Sequence, residues 1–206
     1  LLSKNVKLII FACNTATAAA MPTLQKEVDQ QIIGVIQSGS LAAARTTMNK
    51  KVAVVATPVT INSHAYQKEI QFRDPEIEVS EIAAPELAPL IEAQKDFDTN
   101  LKAVENSLQP LKGEDFDTLV LGCTHYPIIR DEFAQALGEK IQIVDPADQV
   151  AQYTYNVMRR DGLFNDSNEV SHEYYTTGDP EKFSEMGRTF LGDENLTSKQ
   201  VDTENL

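Results

Sequence analysis

The sequence predicts an α/β protein with mostly parallel sheets. Short apolar segments alternate with segments of helical character along the 206 residues, and this alternation is typical of βαβ units. Two of the apolar segments also end alike, since each stops at a cysteine followed at once by small polar residues. Because α/β folds place their chemistry at the carboxyl ends of parallel strands, this second observation also predicts where a site lies.

The predicted strands are apolar runs of about four or five residues, bounded by polar or turn-forming residues. Such runs lack the polar alternation of a half-exposed strand and therefore indicate interior strands of parallel sheets. They cover residues 7–12, 32–36, 51–56, 77–82, 118–122, 141–144 and 173–177.

Helices are predicted between these strands, with turn residues at several junctions. Asn14 or Thr15 is expected to cap the first helix, Gly138 follows a later helix as its stop, and Asp145 precedes another. The predicted helices cover residues 16–30, 40–47, 61–72, 87–93, 99–108, 129–137, 147–160 and 180–190. The polar tail, residues 193–206, is expected to fray.

Composition narrows the class of protein. Asp and Glu total 31 against 18 Lys and Arg, for a formal net charge of −13, which argues against a nucleic-acid partner because phosphate binding needs a basic face. The sequence has no apolar run long enough for a transmembrane helix, and its first residues are not expected to act as a signal peptide. The two cysteines lie too far apart to suggest a disulfide framework, so we expect a reduced, cytoplasmic protein without a membrane partner.

Cys13 and Cys123 are the only cysteines, and each follows an apolar run directly. A single free cysteine is most often a small buried residue of the core. A matched pair at two strand ends favours function instead, because the start of a helix stabilises a thiolate through its dipole and free N–H groups. We expect the two thiols to face one pocket, an arrangement that suits proton transfer at a carbon centre.

The polar residues beside the cysteines have two interpretations. Asn14, Thr15 and Thr124 either cap helices or hold a carboxylate, and the same geometry serves both roles. His125 either makes a structural hydrogen bond or tunes the thiol of Cys123. Zinc would need three or four ligands, and no second pair accompanies Cys123 and His125, so no metal site is predicted.

Two further sets of residues are weaker candidates. Thr57 and Thr60 flank Pro58 at another junction between a strand and a helix, where they could add anion-binding groups. Glu92 lies on a predicted helix, and a glutamate there is normally solvated.

Residues 12–18, Ala-Cys-Asn-Thr-Ala-Thr-Ala, and residues 122–127, Gly-Cys-Thr-His-Tyr-Pro, together resemble the glutamate racemase family of the aspartate/glutamate racemase superfamily. The likeness extends through residues 34–36, 54–57, 89–92 and 174–178, and so covers nearly the whole chain. The histidine at position 125 is similar to the glutamate branch, since aspartate racemases tend to carry glutamate there.

The resemblance implies two doubly wound α/β domains, related by a pseudo-twofold axis, with the site in the cleft between them. Residues 1–36 with 146–206 would form one domain and residues 37–145 the other. It implies cofactor-independent racemisation of L-glutamate to D-glutamate for peptidoglycan synthesis, and a homodimer is a candidate assembly. Cys13 and Cys123 would be opposed bases, with substrate held by Asn14, Thr15 and Thr124, His125 beside Cys123, and Glu92 as an assisting acid.

One departure from the family pattern concerns the first domain. The family opens with a strand ending in Asp-Ser-Gly and a loop with Pro-Tyr-Gly, and neither motif is present here. The resemblance therefore implies that the chain is truncated, with roughly sixty residues of the family pattern ahead of Leu1. If the chain were complete, its first domain would lack one strand and Cys13 would lack an assisting aspartate. Two alternatives stay open: a related activity on aspartate, hydantoins or maleate, and an inactive homologue that binds a dicarboxylate.

Overall fold

The computed structural model describes residues 1–167 and 169–202, and these residues form an α/β fold. Every strand pair within them is parallel, as the alternation of strands and helices predicted. The chain divides into two compact units, Leu1–Phe164 and Asn165–Leu206. No helix in the described part of the chain is long and apolar enough to cross a membrane.

Strands and helices follow one another in the predicted order. The strands are β1 (Leu8–Phe11), β2 (Gln31–Gly34), β3 (Lys51–Ala56), β4 (Glu78–Ala83), β5 (Thr118–Gly122), β6 (Gln142–Val144), β7 (Tyr174–Thr176) and β8 (Ser198–Gln200). The helices are α1 (Asn14–Leu24), α2 (Val35–Thr46), α3 (Pro58–Ser63), α4 (Ala65–Arg73), α5 (Leu87–Glu92), α6 (Phe97–Leu108), α7 (Arg130–Leu137), α8 (Pro146–Arg160) and α9 (Pro180–Leu191).

The larger sheet of the first unit has the strand order β4-β3-β5-β6. Its two central strands, β3 and β5, are apolar after their first residues, Lys51 and Thr118, and every residue except Lys51 is buried. Successive side chains of a strand point to opposite faces, so burial of every position means that both faces of the sheet are covered. One face packs against Ile36 of α2 and against Tyr66 and Ile70 of α4.

A second, smaller sheet in the same unit consists of β1 and β2, paired from Leu8–Gln31 to Phe11–Gly34. A two-stranded sheet is marginal by itself and needs packing from helices. Here Ile33 packs with Val150 and Val157 of α8. Ile10, in the middle of β1, is 44% exposed, so one face of this sheet is only partly covered by the described residues.

The second unit contains β7, α9 and β8. Asp179 caps α9 by accepting hydrogen bonds from the N–H groups of Glu181 and Lys182. The hydroxyl of Ser184 on α9 accepts the N–H of Ser198 at 3.0 Å, which fixes the start of β8 beside β7. The prediction of a frayed tail was therefore wrong for residues 198–200, while residues 203–206 lie outside the described part.

Three predicted boundaries near the functional residues were also wrong. The first helix begins at Asn14 and ends at Leu24, soon after Pro22, whose ring removes a backbone donor. The second begins at Val35, so the predicted strand 32–36 ends two residues early. The helix predicted over 61–72 is two helices, because His64 between them has a φ of 53°.

Asp117 fixes the loop that joins α2 to β3. Its carboxylate accepts the hydroxyl of Thr47 at 2.7 Å and the backbone N–H groups of Met48 and Asn49 at 2.7 and 2.8 Å, and also the hydroxyl of Thr118 at 2.8 Å. Partial burial alone would raise the pKa of Asp117, but these hydrogen bonds together hold it below its usual value.

Asp117→Ala is expected to lower the free energy of unfolding by about 1–2 kcal/mol at neutral pH, because it leaves several donors without their acceptor. Urea denaturation measures the loss. Since the folded-state pKa is depressed, the contribution is complete above the unfolded pKa of about 4 and disappears as the pH falls through the folded value. The difference between wild type and variant should therefore shrink in acid. Asp115→Ala, which removes a carboxylate that is 85% exposed, is the matched control and should cost little.

Candidate active site

The candidate residues lie where β1, β3 and β5 end, directly after each strand in the sequence. A cavity of about 590 Å³ opens beside the ends of β1 and β5, and Asn14, Cys123 and Thr124 contribute to its wall. Most of its other lining is apolar and comes from β1, α8 and the residues after α8, including Ile10, Ala12, Val150, Tyr155, Met158 and Phe164. The cavity therefore has a small polar end beside a thiol and a larger apolar wall.

Cys123 is buried at the end of β5, with 8% of its surface exposed. Burial raises the pKa of this thiol, and the neighbouring charges of Cys13 and Glu92 raise it further, whereas the backbone N–H groups of His125 and Tyr126 oppose the rise. The expectation that a helix start favours the thiolate was thus wrong for Cys123, because desolvation outweighs the N–H groups. A neutral thiol at this position needs a partner to remove its proton.

The side chain placed to remove that proton is His125. Its Nδ1 lies 3.8 Å from the sulfur of Cys123, and its Nε2 lies 3.0 Å from Oε1 of Glu92. A carboxylate at Nε2 favours the tautomer with the proton on that nitrogen, which leaves the lone pair of Nδ1 facing the thiol. Glu92, His125 and Cys123 therefore form a chain along which the thiol proton can move to the imidazole.

Two segments of the polypeptide, α5 and the turn after β5, position Glu92, His125 and Cys123. Glu92 is the last residue of α5, and His125 precedes a short 3-10 helix, Tyr126–Ile129, that follows β5. The buried hydroxyl of Tyr126 donates to the carbonyl oxygen of Ala84 at 2.8 Å, which ties the end of β5 to the segment that leads into α5. Glycine at position 122 is required here, since a Cβ would lie 2.8 Å from that of Ala56.

Cys13 has a different environment. It is exposed, and it precedes α1 as the N-cap residue without a capping hydrogen bond from its side chain. It is near enough to Cys123 for its charge to raise the pKa of that thiol, yet it does not line the cavity. That the two thiols face one pocket as an opposed pair stays a prediction.

The capping role predicted for Asn14 and Thr15 was wrong, because both residues lie within α1. Asn14 is buried, and its Oδ1 accepts the hydroxyl of Tyr66 at 2.7 Å. Tyr66 was not identified from the sequence. Its position on an ordinary helix carried no signal, since only the fold brings α4 beneath the start of α1.

Three threonines meet where α1 and α3 begin. The hydroxyl oxygen of Thr15 lies 2.8 Å from that of Thr57 and 3.4 Å from that of Thr60, and the last two are 3.1 Å apart. Thr60 is fully buried, so in this structure it supports the other two hydroxyls. None of the three threonines lines the cavity, and their contact with a substrate stays a prediction.

Thr124 is exposed and lines the cavity beside Cys123. Within residues 1–167 and 169–202, no group of three or more His, Cys, Asp or Glu side chains is arranged to hold a metal ion. The groups available for chemistry at this site are two thiols, one imidazole, the carboxylates of Glu92 and Asp145, and amide and hydroxyl donors.

Comparisons with known proteins agree on one family. The sequence model described as Asp/Glu/Hydantoin racemase matches residues 1–154. A glutamate racemase of Lactobacillus helveticus is 79% identical over 207 residues, which cover 100% of this chain and 78% of that protein. Another, from Lactobacillus johnsonii, is 61% identical and is covered over 77% of its length.

Solved structures give the same result. A glutamate racemase isoform from Bacillus anthracis superposes with a TM-score of 0.92 at 34% identity, over 96% of this chain and 74% of that one. A glutamate racemase from Francisella tularensis, solved in complex with D-glutamate, has a TM-score of 0.91 at 30% identity, over 100% of this chain and 77% of that one.

Proposed function

The chain belongs to the Asp/Glu/hydantoin racemase family and, within it, to the glutamate racemases, and on this premise we propose that it interconverts L- and D-glutamate without a cofactor. The observation that carries the proposal is the chain of contacts from Glu92 through His125 to Cys123, which lines a cavity together with Asn14. In a bacterium this reaction supplies D-glutamate for peptidoglycan.

The chemistry requires two groups that act on opposite faces of Cα. One thiolate takes the Cα proton as S–H, and the electron pair left at Cα delocalises into the α-carboxylate. The thiol on the other face then gives its proton to Cα and becomes the thiolate. Stereochemistry is inverted, one proton is taken and one is given, and the two sulfurs exchange protonation states. We assign these roles to Cys13 and Cys123.

His125 makes Cys123 usable in both directions. Burial keeps the Cys123 thiol protonated, because its pKa is raised, so Cys123 is ready to act as the acid. When Cys123 must act as the base, Nδ1 of His125 accepts the thiol proton, and Glu92 stabilises the resulting imidazolium. His125 and Glu92 therefore adjust the protonation of the sulfur without touching Cα.

The Cα proton of an amino acid is far less acidic than a thiol, so the site must stabilise the carbanion with donors that are already oriented. We propose that Asn14, Thr124 and the hydroxyls of Thr15 and Thr57 bind the carboxylates of glutamate, with Thr60 holding the other two threonines. The starts of α1 and α3 add backbone N–H groups.

The predicted domain division remains part of the proposal. Residues 1–36 with 146–206 would form one domain and residues 37–145 the other, related by a pseudo-twofold axis with the site between them. The separation of the β1-β2 sheet from the β4-β3-β5-β6 sheet supports the division. Homodimerisation likewise stays a prediction.

Solvent exchange tests the activity directly. Purified chain is incubated in D₂O with L-glutamate or with D-glutamate, and the Cα proton is followed by ¹H NMR while the enantiomers are separated by chiral chromatography. The proposal predicts loss of the Cα signal together with formation of the other enantiomer. A control chain carries the family's Asp-Ser-Gly strand ahead of Leu1.

The outcomes separate the alternatives. Exchange with aspartate or a hydantoin in place of glutamate would support the related activities. Exchange by the extended control alone would retain the family and remove the activity from this chain. No exchange by either chain would contradict the proposal and favour a homologue that only binds a dicarboxylate.

A further inference from the structure

Tyr66 packs beneath both segments that carry the cysteines of the candidate site. It is fully buried on α4, and its hydroxyl donates to Oδ1 of Asn14, the residue that follows Cys13. A Cβ at position 122, directly before Cys123, would lie 3.2 Å from the Tyr66 ring. One side chain therefore contacts the structure beneath both thiols, although it reaches neither the cavity nor, by itself, the substrate.

The bond from Tyr66 decides how the amide of Asn14 is oriented. With Oδ1 held by the hydroxyl, Nδ2 with its two N–H groups is the atom left for other partners. Asn14 contributes to the wall of the cavity that Cys123 also lines. We propose that Tyr66 is a positioning residue, whose hydroxyl orients the Asn14 amide so that Nδ2 donates to a carboxylate of the substrate. This inference rests on the proposed function.

The surroundings of Tyr66 make its hydroxyl a permanent donor. Burial, with the neighbouring charges of Cys123 and Asp145, raises the pKa of the phenol, so it stays protonated at any pH at which the protein works. A Cβ at Gly39 would lie 3.1 Å from the hydroxyl oxygen, so glycine there leaves the space that the hydroxyl occupies. Without Tyr66, the amide of Asn14 could rotate and present an acceptor to an anionic carboxylate.

The test removes the hydroxyl alone. Tyr66→Phe is compared with Thr47→Val, since each loses a hydroxyl that donates over 2.7 Å to a side-chain oxygen. Thr47 lies at the end of the sheet away from the candidate site. Thermal unfolding reports the stability of both variants, and KM and kcat are measured for both enantiomers. Calorimetric titration with D-glutamate adds a readout that does not depend on turnover.

We expect Tyr66→Phe to raise KM for both enantiomers, and to weaken D-glutamate binding, by about fivefold to tenfold, with a smaller change in kcat. Thr47→Val should lose comparable stability with KM unchanged. In an Asn14→Ala background, Tyr66→Phe should have no further effect on KM, because its role is exercised through Asn14. A purely structural role would instead add to the effect of Asn14→Ala.

Other outcomes overturn the inference or the proposed function separately. A wild-type chain that racemises glutamate, with KM for Tyr66→Phe unchanged, removes the positioning role alone. Binding of D-glutamate that Tyr66→Phe weakens, in a chain without exchange, keeps the positioning role and removes the activity. Should Tyr66→Phe fail to fold, Asn14→Asp keeps the acceptor for Tyr66 but loses the amide donor. Its KM must then rise at least as much, and an unchanged KM overturns the inference.

Discussion

Replacing either Cys13 or Cys123 by alanine is expected to reduce glutamate racemisation by about 10³-fold or more. In the proposed mechanism each thiol serves one face of Cα, so neither thiol can replace the other. Chiral chromatography of the reaction measures the loss in both directions. The loss should be comparable for the two variants, because every turnover needs one sulfur as base and the other as acid.

Stability measurements separate this effect from unfolding. Cys13 is exposed, so its replacement should leave the urea midpoint unchanged. Cys123 is buried among fully buried strands, and its truncation should cost about 1 kcal/mol, far too little to unfold the chain. Either alanine variant that retains racemisation within tenfold of wild type would contradict the assignment of two thiol bases.

His125→Asn is expected to lower kcat by about 10²–10³-fold. Burial raises the pKa of Cys123, so without an imidazole 3.8 Å away the thiol loses the group that accepts its proton. Glu92→Gln should have a smaller effect, of about tenfold, because the amide oxygen can still accept from Nε2 while the charge that stabilises the imidazolium is lost.

Activity is the appropriate readout for Glu92, because its charge has two opposing effects on Cys123. Directly it raises the pKa of that thiol, and through His125 it helps to remove the thiol proton. If the direct effect dominates, Glu92→Gln will be as active as wild type or more active. That result, or a His125→Asn variant with unchanged kcat, would contradict the role assigned to this chain of side chains.

The parts of the fold that the sequence predicted are those encoded locally. Most of β3 and β5, residues 52–56 and 119–122, are apolar runs, and such runs have few alternatives to an interior parallel strand. The positions of Cys13 and Cys123 just after such runs were enough to place both at strand ends. The contact between the hydroxyls of Thr15 and Thr57, 2.8 Å apart, was not predicted, although Thr57 directly follows β3.

The parts that were missed depend on contacts between distant segments. The bond of Tyr66 to Asn14 joins two helices whose packing no local pattern encodes. Burial of Cys123 overrides the effect of its N–H neighbours, and the extent of burial is known only once the helices are in place. The break between α3 and α4 at His64 is also encoded by distant contacts. His64 has a positive φ, and its Nδ1 lies 2.6 Å from Oε2 of Glu81 on β4.

The central claim is that two groups act on opposite faces of Cα, and the origin of the product's Cα hydrogen tests it most directly. L-glutamate carrying protium at Cα is incubated with the chain in D₂O, and both enantiomers are isolated during the first few per cent of reaction. A two-base mechanism predicts that the D-glutamate formed carries deuterium at Cα, while the remaining L-glutamate keeps its protium. D-glutamate that retains the substrate's protium would mean that a single base returns the proton it removed, and would contradict the account.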